Sequence, residues 1–138
     1  MLDFRDQGDD LRCCSQISVA LVPELAAMGF RSLICNRPDS EADAVPRAAI
    51  ERAAGKQGLA FAYQPVELAR IGPADGAAFA RLLDTLPKPI LAYCRSGRRS
   101  AALWVLARAP RLGAAAALAA SRANGCDLHD ELRALLRA

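Results

Sequence analysis

The stretch "KPILAYCRSGRRSAALWVLARA", residues 88–109, decides the fold. Its first part, "KPILAY" (88–93), is a short apolar run of strand length. Its last part, "SAALWVLARA" (100–109), is rich in alanine and leucine and reads as a helix that Pro110 stops. Between them stands one cysteine, Cys94, followed by Gly97, two serines and three arginines. A strand–loop–helix joint leaves backbone N–H groups pointing into the loop, and the helix dipole adds positive potential there. A thiol held at such a joint falls from about 8.5 to roughly 3.5–7.5. Gly97 lets the chain bend so that its amides converge. Arg99 can fork onto two oxygens of a tetrahedral anion. Ser96 and Ser100 can donate hydroxyl hydrogen bonds to a thiolate or an anion. Arg95 and Arg98 are expected to face outward and attract the substrate. Cys94 is thus the candidate nucleophile, with Arg99 as its catalytic partner.

Working outward, the chain alternates strand and helix. Residues 11–19 are a short extended opening. "VPELAAMGF" (22–30) has proline near its start and glycine near its end, as a short helix should. "RSLICNR" (31–37) is a buried strand, followed by an acidic, mobile-looking loop over 38–45. "PRAAIERAAGKQG" (46–58) is a helix and "LAFAYQPV" (59–66) a strand. Residues 73–86 place Phe79, Leu82, Leu83 and Leu86 at helical spacing. Two more helices are expected over 111–123 and 128–137. The alternation implies an α/β fold with a mostly parallel sheet of about four strands flanked by helices. Ligands in such sheets sit at the carboxyl ends of the strands. Cys94 stands at one such end. Asn36 and Arg37 stand at another, where Arg37 is a candidate second anion contact or half of a turn-stabilising pair before Pro38.

The bulk properties narrow the class. A chain of 138 residues is expected to form one domain over 1–138. Its net charge of +3 is too small for a nucleic-acid-binding tail. No apolar run approaches the ~18 residues of a membrane span. The N-terminal "MLDFRDQGDDLR" lacks the apolar centre of a secretory signal, so a cytoplasmic location is expected. Cys13, Cys14, Cys35, Cys94 and Cys126 form no CxxC pair, which argues against a disulfide scaffold and against structural zinc. His129 is the only histidine, so a metal site is not expected, and no cofactor is expected either. Gln16 is a candidate for backing the 94–100 loop. Cys13 and Cys14 could resolve a modified Cys94 if they touch it, although burial is the simpler reading for both, as for Cys35 and Cys126. Trp104 is read as a core residue pinning the helix after the loop, and Tyr93 as packing beneath the nucleophile.

Residues 11–109 resemble the bacterial family of phosphatase-like domains found in beta-lactamase hydrolase-like proteins, also described as DUF442 or as a sulfur-transferase family. The resemblance is carried by "SQIS" (15–18), "MGFRSLICNRPD" (28–39), "QPV" (64–66) and "ILAYCRSGRRSAALWVLA" (90–107), with "ANGCDLHDELRALL" (123–136) similar at the tail. It implies a fold like that of dual-specificity phosphatases, with the family's cysteine at Cys94 and its loop arginine at Arg99. The chain departs from the family pattern at "CCSQ" (13–16), where a small residue and glycine are usual before the glutamine.

Two reactions suit a cysteine in this loop. Protein tyrosine phosphatases resemble it in kind but carry Cys-x5-Arg, whereas here the arginine is five positions after the cysteine and Ser100 occupies the next place. Rhodanese-type sulfurtransferases resemble "CRSGRRS" more closely. Phosphoester hydrolysis also needs a general acid for the alkoxide, and Glu67, Asp75 and Asp39 have no persuasive spacing for it. Thiosulfate needs none, because sulfite leaves readily. The preferred expectation is sulfane-sulfur transfer through a Cys94 persulfide. Phosphatase chemistry through a phosphocysteine is the alternative, and a non-catalytic oxyanion- or persulfide-binding module a third. The expected partners are a small oxyanion or persulfide, a thiol acceptor and, as a candidate, a sulfur-oxidation enzyme; nucleic acid and membrane are not expected.

Overall fold

In the computed structural model, which describes residues 3–8 and 10–136, the strands expected from the sequence over 31–37, 59–66 and 88–93 are all present. Strand β1 spans Arg5–Gly8, β2 Leu11–Cys14, β3 Ser32–Cys35, β4 Ala60–Tyr63 and β5 Ile90–Tyr93. They form one sheet in the order β1-β2-β5-β3-β4. Strand β5 lies at the centre, parallel to both β2 and β3, with Ala92 opposite Cys13 on one side and Ile34 on the other. All four of its residues are buried, which is why the run is continuously apolar rather than alternating.

The sheet has five strands, one more than expected. The extra one, β1, is antiparallel to β2, and Asp10, just before β2, takes φ 57°. Its sequence, "RDQG", has no apolar alternation, so periodicity could not reveal it; backbone pairing to β2 holds it at the edge.

Helices cover both faces. Helix α1 (Val22–Ala27) and α2 (Arg47–Lys56) lie on one. There Val22, Leu25, Ile50 and Ala54 pack with Leu33, Leu91 and Tyr93. Helix α3 (Pro73–Thr85), α4 (Arg98–Leu112), α5 (Ala114–Ala123) and α6 (His129–Leu136) lie on the other. There Phe79, Leu83, Leu103, Trp104 and Leu132 pack with Leu11, Ile34 and Ile90. The alternation along β5, with Ile90 and Ala92 facing one core and Leu91 and Tyr93 the other, follows from the two-residue strand period. The last residue of the expected 128–137 helix lies outside the described residues.

Helix α4 passes under the site and is buried from Ser100 to Arg108. It begins at Arg98 rather than Ser100, and it runs through Pro110 to end at Gly113, which has φ 91°. Pro110 sits in the final turn, where a missing N–H and a ring costs one bond near an end rather than the continuity of the helix. Helix α3 meets α4 closely at Gly76, where an added Cβ would stand 2.6 Å from Leu106 Cβ. Among the described residues, no helix is long and apolar enough to cross a membrane.

Candidate active site

The loop between β5 and α4 wraps the Cys94 sulfur. Cys94 itself is 0% exposed, at the floor of the loop. Its Sγ accepts a hydrogen bond from the Gly97 N–H at 3.1 Å. Gly97 is the residue before α4, at φ 92° and ψ −11°. The sulfur therefore accepts from the N–H of the residue that precedes α4, at the end of the helix where the dipole favours negative charge. Gly97 is required twice over. Its left-handed φ suits glycine, and a Cβ there would lie 3.3 Å from the Cys14 carbonyl carbon.

Residues from three other segments brace the loop. The Cys94 N–H donates to the Cys14 carbonyl at 3.4 Å and the Gln16 N–H to the Arg95 carbonyl at 3.3 Å. Ser100, fully buried, donates from Oγ to Asn36 Oδ1 at 2.7 Å. Asn36 Nδ2 in turn donates to the Gln64 carbonyl at 2.9 Å, and Gln64 Nε2 to the Asp75 carbonyl at 2.9 Å. This chain ties the ends of β3 and β4 to the starts of α4 and α3. Each such bond contributes about 1 kcal/mol, and an orphaned partner costs more. Ser100 and Asn36, candidate substrate contacts by sequence, are engaged here in holding the frame.

The arginines divide by role. Arg95 is exposed at the mouth, and its side chain has no polar partner among the described residues. Ser96 is also exposed, at the turn of the loop. Arg98 does not face outward to meet a substrate as expected. Its guanidinium donates to the Asp127 carbonyl at 2.8 Å, touches Cys126 Sγ at 3.9 Å and pairs with Glu131, so the first residue of α4 is strapped to α6. The helix rotation that aims Arg99 inward carries its neighbour about 100° away, toward that element.

Arg99 donates to Glu41 through Nη1 at 2.5 Å and Nη2 at 2.9 Å, and through Nη1 to the Val66 carbonyl at 3.1 Å. Glu41 first, and the neighbouring Cys94 after it, raise the Arg99 pKa above its ordinary value. Arg37, 5% exposed, donates to Glu41 Oε1 at 3.0 Å, to Gln16 Oε1 at 3.0 Å and to the Ala42 carbonyl at 2.7 Å. Gln16 thus backs both the loop and Arg37. Arg37, Glu41, Ala42, Asp43, Arg95 and Arg99 line a cleft of 270 Å³ at this end of the sheet.

Glu41 was not singled out by sequence. It lies in the acidic loop that reads as mobile, yet the structure ties that loop down: the Asp39 N–H donates to Tyr63 Oη at 3.0 Å and the Arg47 N–H to Asp39 Oδ1 at 2.8 Å. The available signal was charge complementarity between "DSEAD" (39–43) and "CRSGRRS" (94–100). Hydrogen bonds from Arg99 first, and from Arg37, hold the Glu41 carboxyl below the usual carboxylate range. Its contribution to stability is therefore present above the unfolded carboxyl value of about 4.3 and is lost as pH falls through the depressed folded value. Wild-type unfolding midpoints should exceed those of Glu41→Gln at neutral pH. The gap should close below about pH 4, as read by thermal melts across pH.

The other thiols surround Cys94 without competing with it. Burial pushes Cys13 well up and Cys14 up to about 12, and raises Cys35 and Cys126 as well. Tyr93, whose side chain faces the α1–α2 core beneath the loop, is also raised by burial. Trp104 is 3% exposed in the opposite core, and His129 is exposed at the start of α6.

Residues 3–111 match the family described as "Beta-lactamase hydrolase-like protein, phosphatase-like domain". A beta-lactamase hydrolase-like protein of Agrobacterium fabrum is 36% identical over 103 residues, 74% of this chain but only 24% of that protein's length. A crystal structure from Neisseria meningitidis, of a protein proposed as a phosphatase, superposes with TM-score 0.83 at 29% identity, covering 96% of this chain and 95% of that one. The kinase-associated phosphatase, solved with serine in place of its catalytic cysteine, superposes with TM-score 0.73 at 12% identity over 98% of this chain and 91% of its own, a likeness of fold alone. The architecture is thus that of the dual-specificity-type phosphatases, and the chain belongs to the family of beta-lactamase hydrolase-like protein, phosphatase-like domains.

Proposed function

We propose that the protein is a cysteine-thiolate enzyme that transfers sulfane sulfur through Cys94. One observation carries the choice: among the described residues, Glu41 and the three acids weighed from the sequence each hold a local partner, so Asp43, which also lines the cleft, is the carboxylate on which an alkoxide-protonating step would depend. Glu41 is held by two guanidiniums, with its pKa lowered. Asp75 Oδ2 accepts from the Gly72 N–H at the start of α3. Asp39 accepts from the Arg47 N–H, and Glu67 is paired with Arg70. The three acids considered from the sequence are therefore engaged in local structure.

Sulfur transfer runs without such an acid. The Cys94 thiolate attacks the outer sulfur of thiosulfate, the S–S bond breaks, and sulfite leaves with the bonding pair. The persulfide on Cys94 then yields its outer sulfur to an acceptor thiolate, restoring the Cys94 thiolate. The Gly97 N–H and Arg99 stabilise the anionic sulfur at each stage. The acceptor comes from outside, since the neighbouring thiols have raised pKa values.

Phosphoester hydrolysis through a phosphocysteine is the second reading, and the fold and the family description favour it. Asp43 lines the cleft with Arg95 and Arg99 and is the carboxylate such a reaction would draw on for its leaving group. Parallel assays separate the two. Thiosulfate with cyanide should give thiocyanate, and mass spectrometry should find one added sulfur on Cys94. Nitrophenolate from p-nitrophenyl phosphate, with no thiocyanate, would reverse the order. Oxyanion binding with neither product would leave a binding module.

A further inference from the structure

The site contains its own anion. Glu41 Oε1 accepts from Arg37 Nε at 3.0 Å and Arg99 Nη2 at 2.9 Å, while Oε2 accepts from Arg99 Nη1 at 2.5 Å. Two oxygens thus satisfy three N–H donors from guanidiniums whose side chains are 6% and 12% exposed. A sulfonate, sulfate or phosphate group presents two oxygens with similar spacing and suits the same fork. Arg99 also neighbours Cys94, so this carboxylate stands one guanidinium away from the nucleophile.

The two arginines would keep their aim without Glu41. Arg37 retains Gln16 Oε1, and Arg99 retains the Val66 carbonyl. The Arg37 bond uses Nη1 and not the Nε that faces Glu41, while Arg99 Nη1 serves both Glu41 and the Val66 carbonyl. The donors are therefore built into the frame, and the loop that carries Glu41 is held separately through Asp39 and Ala42, so it is the Glu41 side chain that has to withdraw. The Glu41 side chain is 30% exposed, so it has a path to solvent.

We propose that Arg37 and Arg99 form an oxyanion subsite in which Glu41 is the resident ligand, displaced when the oxyanion of a substrate binds. The inference rests on reading the 94–99 loop as an anion site, but not on which reaction Cys94 performs. Displacement makes affinity conditional: the competent state is the fraction with Glu41 withdrawn, and the apparent dissociation constant is raised by that fraction. It also selects for ligands that offer two oxygens to the pair over those offering one.

Titration calorimetry of the full chain with sodium sulfate, at constant ionic strength, tests this. Glu41→Gln should bind sulfate about tenfold more tightly than wild type. Unchanged or weaker binding in a variant that melts cooperatively would overturn the proposal, because Glu41 would then be a support for Arg99 and not its competitor. Hydrogen exchange on wild type needs no variant. Adding sulfate should speed amide exchange across residues 38–45 severalfold, and unchanged or slower exchange at saturating sulfate would equally sink it. If sulfate binds neither protein, the underlying anion-site reading falls. If sulfate displaces Glu41 yet thiosulfate gives no thiocyanate, the subsite stands and only the sulfur-transfer reading falls.

Discussion

Cys94→Ser is expected to abolish turnover, by on the order of 10³-fold or more, with the fold intact. Serine nearly matches cysteine in volume, and its Oγ can accept the Gly97 N–H that now reaches Sγ at 3.1 Å. The frame under the loop does not involve the sulfur at all: Ser100, Asn36 and Gln64 bond to one another and to backbone. The melting temperature should therefore move by only a few degrees. What disappears is a thiol that can form and break bonds to sulfur. No neighbour is expected to stand in, because desolvation raises the pKa values of Cys13, Cys14, Cys35 and Cys126. Turnover assays, with mass spectrometry for the added sulfur, check this. A serine variant that retains activity, or a modified sulfur found on another cysteine, would move the chemistry elsewhere.

The same loop shows why part of the site was legible and part was not. Cys94, Gly97 and Arg99 lie within six consecutive residues, and a strand–turn–helix joint fixes their relation by covalent geometry. Spacing therefore carried the information. The apolar runs at 31–37 and 88–93 were legible for a related reason: strands buried on both faces have no polar positions to confuse the pattern. Long-range partners left no such mark. Glu41 meets Arg99 across 58 positions and Ser100 meets Asn36 across 64, so neither pairing has a local spacing to read. Arg98 was misplaced because its destination, α6, is decided by how the C-terminal helices pack and not by the loop. Strand β1 was missed because an edge strand held by backbone pairing needs no apolar pattern. The stop expected at Pro110 failed because the burial of α4 against α3 and the sheet outweighs one lost hydrogen bond near the helix end.

Gly97→Ala is expected to lower turnover about 100-fold, the effect of misplacing one preorganised donor in a dry site. An alanine held at φ 92° would be strained by about 1–2 kcal/mol, and its Cβ would press on the Cys14 carbonyl from 3.3–3.4 Å. That contact is with the backbone of β2, a buried strand paired on both sides, so the strand cannot yield cheaply. The loop must move instead, and with it the N–H that reaches Cys94 Sγ. Helix α4 is anchored separately through Ser100 and through Arg98 to α6, so the damage should stay local. Circular dichroism should show native helix content and melting should remain cooperative, with a midpoint lowered by several degrees. The kinetic signature should lie in kcat more than in KM, because Arg37, Arg95 and Arg99 still present their charge at the mouth while the sulfur loses its main-chain donor. A fall confined to KM would mean that the amide serves only to bind the substrate. Full activity in Gly97→Ala would mean that the N–H at the start of α4 contributes nothing to the reacting sulfur, and Cys94 would then need another source of activation.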